Sequence, residues 1–147
     1  FVEDSMVLKD PFELFVVQNV VLDGLLYPLV YETIIDDVLS AKGGTSVAML
    51  TQFMTEWFAE TRKWVDATVK TAAAEAPENK AQLEKWIGHW RDRAAAALMP
   101  VAQIALGSQA DAVTSDLVSQ FNTRLAKAGV ERDAPMPEKA ASGCSSH

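Results

Sequence analysis

The fold is decided by residues 10–40, which read DPFELFVVQNVVLDGLLYPLVYETIIDDVLS. From residue 12 to residue 35, 16 of the 24 residues are apolar, and the polar ones do not form one continuous face. A surface helix carries a single apolar stripe, whereas a helix that is apolar on all sides has to be buried. Because 147 residues supply few elements to surround such a helix, the sequence predicts a protein that a partner completes.

The composition indicates one globular domain. Hydrophobic residues make up 49% of the chain and charged residues 22%, with a net charge of −7 and a pI of about 4.7. An acidic chain repels phosphate backbones, so nucleic acid is not an expected partner. The single cysteine, Cys144, cannot form an internal disulfide, and a cytoplasmic location is therefore predicted.

The apolar stretch is not predicted to cross a membrane. Spanning requires about 20 apolar residues with few charges. The longest charge-free pieces here are residues 14–22 and 24–31, which Asp23 separates. No basic segment precedes them, so no signal peptide is expected either.

The hydrophobic pattern predicts an all-α chain of four helices joined by short turns, at about residues 10–42, 45–76, 78–106 and 109–128. The starts are marked by Asp10 with Pro11, by Thr45 or Ser46, by Pro77 and by Ser108, and the ends by glycines or a proline. A kink is expected at Pro28 and a bend at Pro100. Helices of this length joined by short connections form an antiparallel bundle, and about 45 Å is a typical length in ferritin-like folds. Residues 1–129 are predicted to form the bundle and residues 130–147 a disordered tail.

The sequence does not supply the ligands of a di-iron site. Such a site in a helical bundle needs Glu-x-x-His motifs on two helices, and none of the glutamates here has a histidine three residues later. There are two histidines: His89 is interpreted as a surface or interface residue, and His147 is the last residue of the predicted tail. Glu56 and Glu60 lie one turn apart and are interpreted as part of a polar face, as are Asp36 and Asp37. No catalytic, metal-binding or cofactor-binding residue is predicted.

Aromatic side chains are the candidates for contacts with a partner. The four tryptophans recur at helical spacing, which is typical of core or subunit contacts rather than of a substrate-binding box. The predicted interface residues are Phe15, Tyr27, Tyr31, Trp57, Trp64, Trp86 and Trp90.

Three segments carry a resemblance to a known family. They are residues 10–31 (DPFELFVVQNVVLDGLLYPLVY), 50–66 (LTQFMTEWFAETRKWVD) and 100–107 (PVAQIALG). Over about residues 1–129 the chain resembles the β subunit of the hydroxylase component of bacterial multicomponent di-iron monooxygenases, closest to the phenol hydroxylase branch. Members of that family are considerably longer, so the resemblance implies the C-terminal portion of a ferritin-like subunit.

The resemblance implies a structural role without catalytic residues. In that family the α subunit holds the di-iron centre, and the β subunit packs on α as a scaffold together with a γ subunit. A reductase with flavin and an iron–sulfur centre brings electrons from NAD(P)H, and a small regulatory protein binds the complex.

Three hypotheses follow from the sequence. The first is a non-catalytic structural subunit of a phenol- or aromatic-hydroxylating monooxygenase. The second is a free-standing helical domain that binds a partner as an adaptor. The third is a metal enzyme formed when copies of the chain associate through Glu56 and Glu60.

Overall fold

The structure is a computed structural model, and it describes residues 1–130. A short helix α1 (Val2–Met6) is followed by four long helices: α2 (Pro11–Leu39), α3 (Thr45–Glu75), α4 (Pro77–Leu106) and α5 (Ala110–Lys127). A 3₁₀ turn, Gly107–Gln109, joins α4 to α5. The described residues contain no β-strand, so the predicted all-α class and the number of long helices are confirmed. Helix α1 was not predicted.

Helix α2 begins and ends as its sequence predicts. The Asp10 carboxylate accepts hydrogen bonds from the backbone N–H groups of Phe12 (2.8 Å) and Glu13 (3.3 Å), and Pro11 occupies the first helical position. At the other end Gly43 adopts a φ of 92°, and the Gly44 N–H donates to the Leu39 carbonyl at 2.8 Å. The glycine pair therefore closes the helix.

Helix α2 contains two stretches of wide, π-helical turns. They cover Val16–Leu22 and Pro28–Leu39 and flank an α-helical segment, Asp23–Tyr27. Proline has no backbone N–H to donate, and a wider turn is one way in which a helix accommodates that loss. The sequence predicted a kink at Pro28, and the structure places a change of helix type at this residue.

The first half of α2 forms the centre of the core. Val16, Val17, Val20 and Val21 are fully buried, and α2 contacts α3, α4 and α5. The other helices contribute the buried side chains of Val65, Val69, Leu83, Ile87, Ala94, Phe121 and Leu125.

The second half of α2 is covered much less. No residue between 30 and 57 is buried, although the range includes apolar residues of both α2 and α3. We call residues 30–57, the end of α2 with the turn and the start of α3, the hairpin end. The sequence predicted that α2 is buried on all sides, whereas within this chain its last buried residue is Leu29 and Gln18 is exposed before it.

Two start signals differ from the sequence prediction. The residue that precedes α3 is Gly44, with no side-chain cap, so Thr45 is the first residue of the helix rather than its cap. Ser108 lies in the 3₁₀ turn and does not cap α5. In both places the backbone of the preceding turn leads directly into the helix.

The end of α5 includes a residue that the sequence assigned to the tail. Gly129 has a φ of 84°, and the Val130 N–H donates to the Leu125 carbonyl at 3.1 Å. The Val130 side chain is buried against the core, as the residue after a helix-ending glycine commonly is. The other residues of the predicted tail, with Cys144 and His147, lie outside the described residues.

A pair of glycine substitutions tests how closely α5 packs on α2. A Cβ on Gly24 would lie 2.9 Å from Cε2 of the buried Phe121 ring, whereas a Cβ on Gly88 in α4 would meet nothing within 4 Å. We expect Gly24→Ala to lower the free energy of unfolding by about 1–3 kcal/mol, because the helices have to separate. Gly88→Ala should raise it by about 0.5–1 kcal/mol, because alanine favours the helix. Urea unfolding of the full chain measures both, and equal gains would show that the α2–α5 contact is loose.

Candidate partner interface

Helix α3 is apolar on two sides. One side carries the buried residues Phe58, Thr61, Val65 and Val69. The other side carries large side chains that are each at least half exposed, and we call them the outer ridge: Met49, Leu50, Phe53, Trp57 and Trp64. The 3.6-residue pattern in the sequence therefore combined part of the core, such as Val65, with residues that the fold leaves in solvent.

An aromatic cluster connects the outer ridge to α2. The Tyr27 ring stacks on Phe58, with centroids 4.8 Å apart, and lies 5.8 Å from Trp57 and 5.1 Å from Tyr31. Further along α3, Trp64 lies 5.8 Å from Phe15. Five of the predicted interface residues thus lie on or next to one exposed surface.

Trp86 and Trp90 have different surroundings. Trp86 is half-buried and, with Phe12 and Leu83, lines a cavity of about 350 Å³ between the start of α2, α3 and α4. Trp90 is only 3% exposed, and its Nε1–H donates to the Glu13 carboxylate at 2.9 Å. The ring of Phe1 also meets its edge. Within this chain the start of the sequence covers this side of α4, and the contact of Trp90 with a partner stays a prediction.

Other exposed apolar residues were not among the predicted candidates. Val101 and Ile104 are exposed near the end of α4, although they continue its regular stripe, and Val2, Met6 and Val7 are exposed at α1 and the turn after it. The spacing of apolar residues in residues 100–107 (PVAQIALG) does not reveal this, because periodicity cannot distinguish a core stripe from an interface stripe. The signal in the sequence that could have indicated these exposed residues is the small number of helices available to cover each apolar stripe.

Exposed acidic side chains occur on both helices that meet at the hairpin end. Glu32, Asp36 and Asp37 are exposed on α2, and Glu56 and Glu60 are exposed on α3. The Glu60 carboxylate pairs with Lys63 at 2.6 Å, and Glu56 accepts a hydrogen bond from the Gln52 side chain at 2.9 Å. Exposed pairs of this kind contribute little to stability, so these carboxylates are available to a partner.

Burial affects one carboxylate next to the aromatic cluster. Desolvation raises the pKa of Asp23 above its ordinary value of 3.8. Tyr27 lies one turn along the helix, and its pKa is raised by burial first and then by the negative charges that Asp23 and Tyr31 can carry. Within this chain Asp23 is thus a partly buried acid that ionises at a cost.

The described residues do not fit a di-iron site. Among residues 1–130 there is no group of three or more His, Cys, Asp or Glu side chains that could hold a metal ion. His89 is exposed and lies edge-on to Trp90, with centroids 5.2 Å apart. Glu56 and Glu60 lie one turn apart, and their carboxylates contact Gln52 and Lys63 rather than a histidine.

Helix α2 meets the length and composition expected of a membrane span. It is the one helix within residues 1–130 that does so, and the core helices of soluble proteins often meet the same criterion. Here its fully buried valines pack against the other long helices, which is the arrangement of a core helix.

The structure defines a class of protein, a long-helix bundle with an exposed aromatic surface. Comparison with known sequences identifies the family within that class. The chain belongs to the methane/phenol/alkene hydroxylase family, whose model matches residues 1–76. It is 47% identical, over 131 residues, to the oxygenase component DmpL of phenol 2-monooxygenase from Pseudomonas sp. (strain CF600). That match covers 89% of this chain and 38% of the relative. The corresponding component MhpL of Acinetobacter pittii (strain PHEA-2) is 40% identical over 104 residues, which are 71% of this chain and 31% of the relative.

A solved structure shares the fold. A chain in the crystal structure of xenon-pressurised phenol hydroxylase from Pseudomonas sp. OX1 superposes with a TM-score of 0.81 and 37% identity. The match covers 90% of this chain and 39% of that chain. The ferritin-like helical bundle predicted from the sequence is thereby confirmed. The chain spans well under half the length of each of these relatives.

A matched pair of tryptophan substitutions separates the outer ridge from the core. Trp90→Ala should lower the free energy of unfolding of the full chain by about 3–5 kcal/mol, because it removes a buried ring. Trp57→Ala removes a ring that is half in solvent and should cost about 1 kcal/mol or less. Chemical unfolding followed by circular dichroism measures both, and comparable losses would contradict the assignment of Trp57 to an exposed surface.

The raised pKa of Asp23 predicts a pH-dependent gain in stability. At neutral pH the folded chain holds an ionised carboxylate in a partly buried position, so Asp23→Asn should raise the free energy of unfolding. The gain should shrink as the pH falls through the folded-state pKa, and it should vanish below 3.8, where the carboxyl is protonated in both states. Unfolding curves across this range measure it. A gain in the free energy of unfolding that grows as the pH falls would contradict this prediction.

Proposed function

We propose that this chain is part of the non-catalytic structural β subunit of a phenol-hydroxylase-type oxygenase. It packs on the iron-bearing α subunit within a cytoplasmic complex that also contains a γ subunit. A reductase using NAD(P)H, flavin and iron–sulfur chemistry and a small regulatory protein serve the assembly. The substrate is phenol or a related aromatic compound, as the names of the relatives suggest.

The exposed outer ridge is the observation that carries this proposal. Monomeric proteins seldom expose a contiguous set of large apolar side chains, and such surfaces mark interaction sites. Interfaces of obligate complexes are large and resemble a domain core. The ridge, the aromatic cluster and the half-covered end of α2 together have that character.

The ligand chemistry of the described residues supports a structural role. Glu56 and Glu60, the carboxylates one turn apart on α3, lie on an exposed helix face. They lack the histidine partners on facing helices that a di-iron centre requires. Nothing in residues 1–130 fits the iron that the family implies, so the iron is assigned to the partner and no reaction step to this chain.

Co-expression with the host's α-type oxygenase subunit tests the proposal. We expect the two chains to co-purify, with iron bound only when the α-type subunit is present. Without it, the chain should bind a hydrophobic dye, because the outer ridge is exposed. Stoichiometric iron on this chain alone would contradict the proposal and favour an independent metal enzyme. A compact, dye-negative chain that ignores the α-type subunit and binds another protein would favour an adaptor.

A further inference from the structure

The outer ridge continues as a heptad pattern along α3. Leu50, Phe53, Trp57, Glu60 and Trp64 follow one another at intervals of three, four, three and four residues, and all five are exposed. This spacing is that of the a and d positions with which one helix packs along another at a crossing angle of about 20°. At 1.5 Å per residue the pattern extends for about 21 Å.

We infer that this pattern packs along a helix of the α-type oxygenase subunit, and that this helix places an arginine or lysine opposite Glu60. The inference rests on the proposed function, which supplies the partner. It goes further by naming the surface, the geometry and the charge that the partner has to provide.

Glu60 determines the chemistry of the partner. It lies in the seam between Trp57 and Trp64, so a helix that covers these rings also removes the Glu60 carboxylate from water. A desolvated carboxylate is strongly unfavourable unless a cation or hydrogen-bond donors face it. Lys63, its present partner, lies toward the edge of the ridge and is 71% exposed, with Glu60 at 73%. The incoming helix therefore contacts Glu60 on the side that Lys63 does not cover.

The charge around the seam also favours a basic partner. Along the hairpin end and the following turn of α3, four exposed carboxylates outnumber two exposed lysines: Asp36, Asp37, Glu56 and Glu60 against Lys42 and Lys63. Glu32 and Arg62 instead line a cavity with Phe58 on the side of α3 that faces α5. The Arg62 guanidinium is 5.7 Å from the Phe58 ring, on another side of α3. The edge of the ridge next to Phe53 is thus lined by Glu56 and Glu60. Complementary charge at such an edge fixes orientation and register.

A second copy of this chain does not meet these requirements. Parallel pairing in register would place Glu60 opposite Glu60, which is a like-charge contact. Antiparallel pairing centred on Trp57 would place Glu60 opposite Phe53, which offers no donor. Both arrangements bring Glu60 no cation beyond Lys63 of its own helix, so a different chain that supplies one fits the seam better.

Binding of the full chain to the host's α-type oxygenase subunit tests the inference. Glu60→Lys should weaken binding about tenfold or more, because it opposes two cations. Glu60→Gln should weaken binding less and reduce its dependence on salt. Asp116→Lys, which makes the same change of charge on α5, should leave the affinity near that of the wild type. Glu60 is mostly exposed, so circular dichroism should show unchanged folding of these variants.

A charge exchange identifies the facing residue. Replacing each Arg or Lys on the exposed helices of the α-type subunit by Glu should yield one substitution that restores binding to Glu60→Lys. The inference is overturned if the Glu60→Lys chain binds the α-type subunit as tightly as the wild type does. It is equally overturned if Glu60→Lys lowers the affinity no more than Asp116→Lys does. It is also overturned if the wild-type chain forms a dimer that Trp57→Ala abolishes. If the wild-type chain does not bind the α-type subunit at all, the proposed function fails first, and the inference falls with it.

Discussion

The packing of the α2 valines between the other long helices is the interaction on which the rest of this structure depends. Val16, Val17, Val20 and Val21 occupy two successive turns and have no exposed surface. Residues at positions i, i+1, i+4 and i+5 share one wide face of a helix. That face requires neighbours, and α3, α4 and α5 contact α2. The antiparallel arrangement of these helices follows from that requirement and from their short connections.

The same requirement explains why the chain is incompletely covered at one end. The apolar character of α2 continues to Leu39, but burial stops at Leu29. The start of α3 repeats this feature, since its first buried residue is Phe58. The two helices thus form a stable core where four helices meet and a half-covered end where they do not. The surface proposed for a partner lies along this transition.

Much of the fold is predictable from the sequence because its signals are local. Asp10 with Pro11, the Gly43–Gly44 pair and Pro77 each determine a helix boundary through their own backbone chemistry. The direction in which a stripe faces is not local. Trp57 and Trp90 follow the same helical spacing, yet one lies in solvent and the other beneath Phe1 and Glu13. Only the position of distant segments distinguishes them, and no periodicity encodes that position. Of the outer ridge, the sequence named only Trp57 and Trp64 as interface candidates, and separating the ridge from the core stripe of α3 required the structure.

The close approach at Gly24 has a consequence for the order of assembly. Phe121 and Arg124 lie against this glycine, and Arg124 also pairs with Asp66 at 2.8 Å, so α2, α3 and α5 are joined near the middle of the bundle. This junction closes without any contribution from residues 30–57. In the assembly proposed above, the chain can therefore form this junction before it docks. Until then its uncovered end would be the part that proteases and chaperones encounter, and an excess of unassembled chains would be removed from that end first.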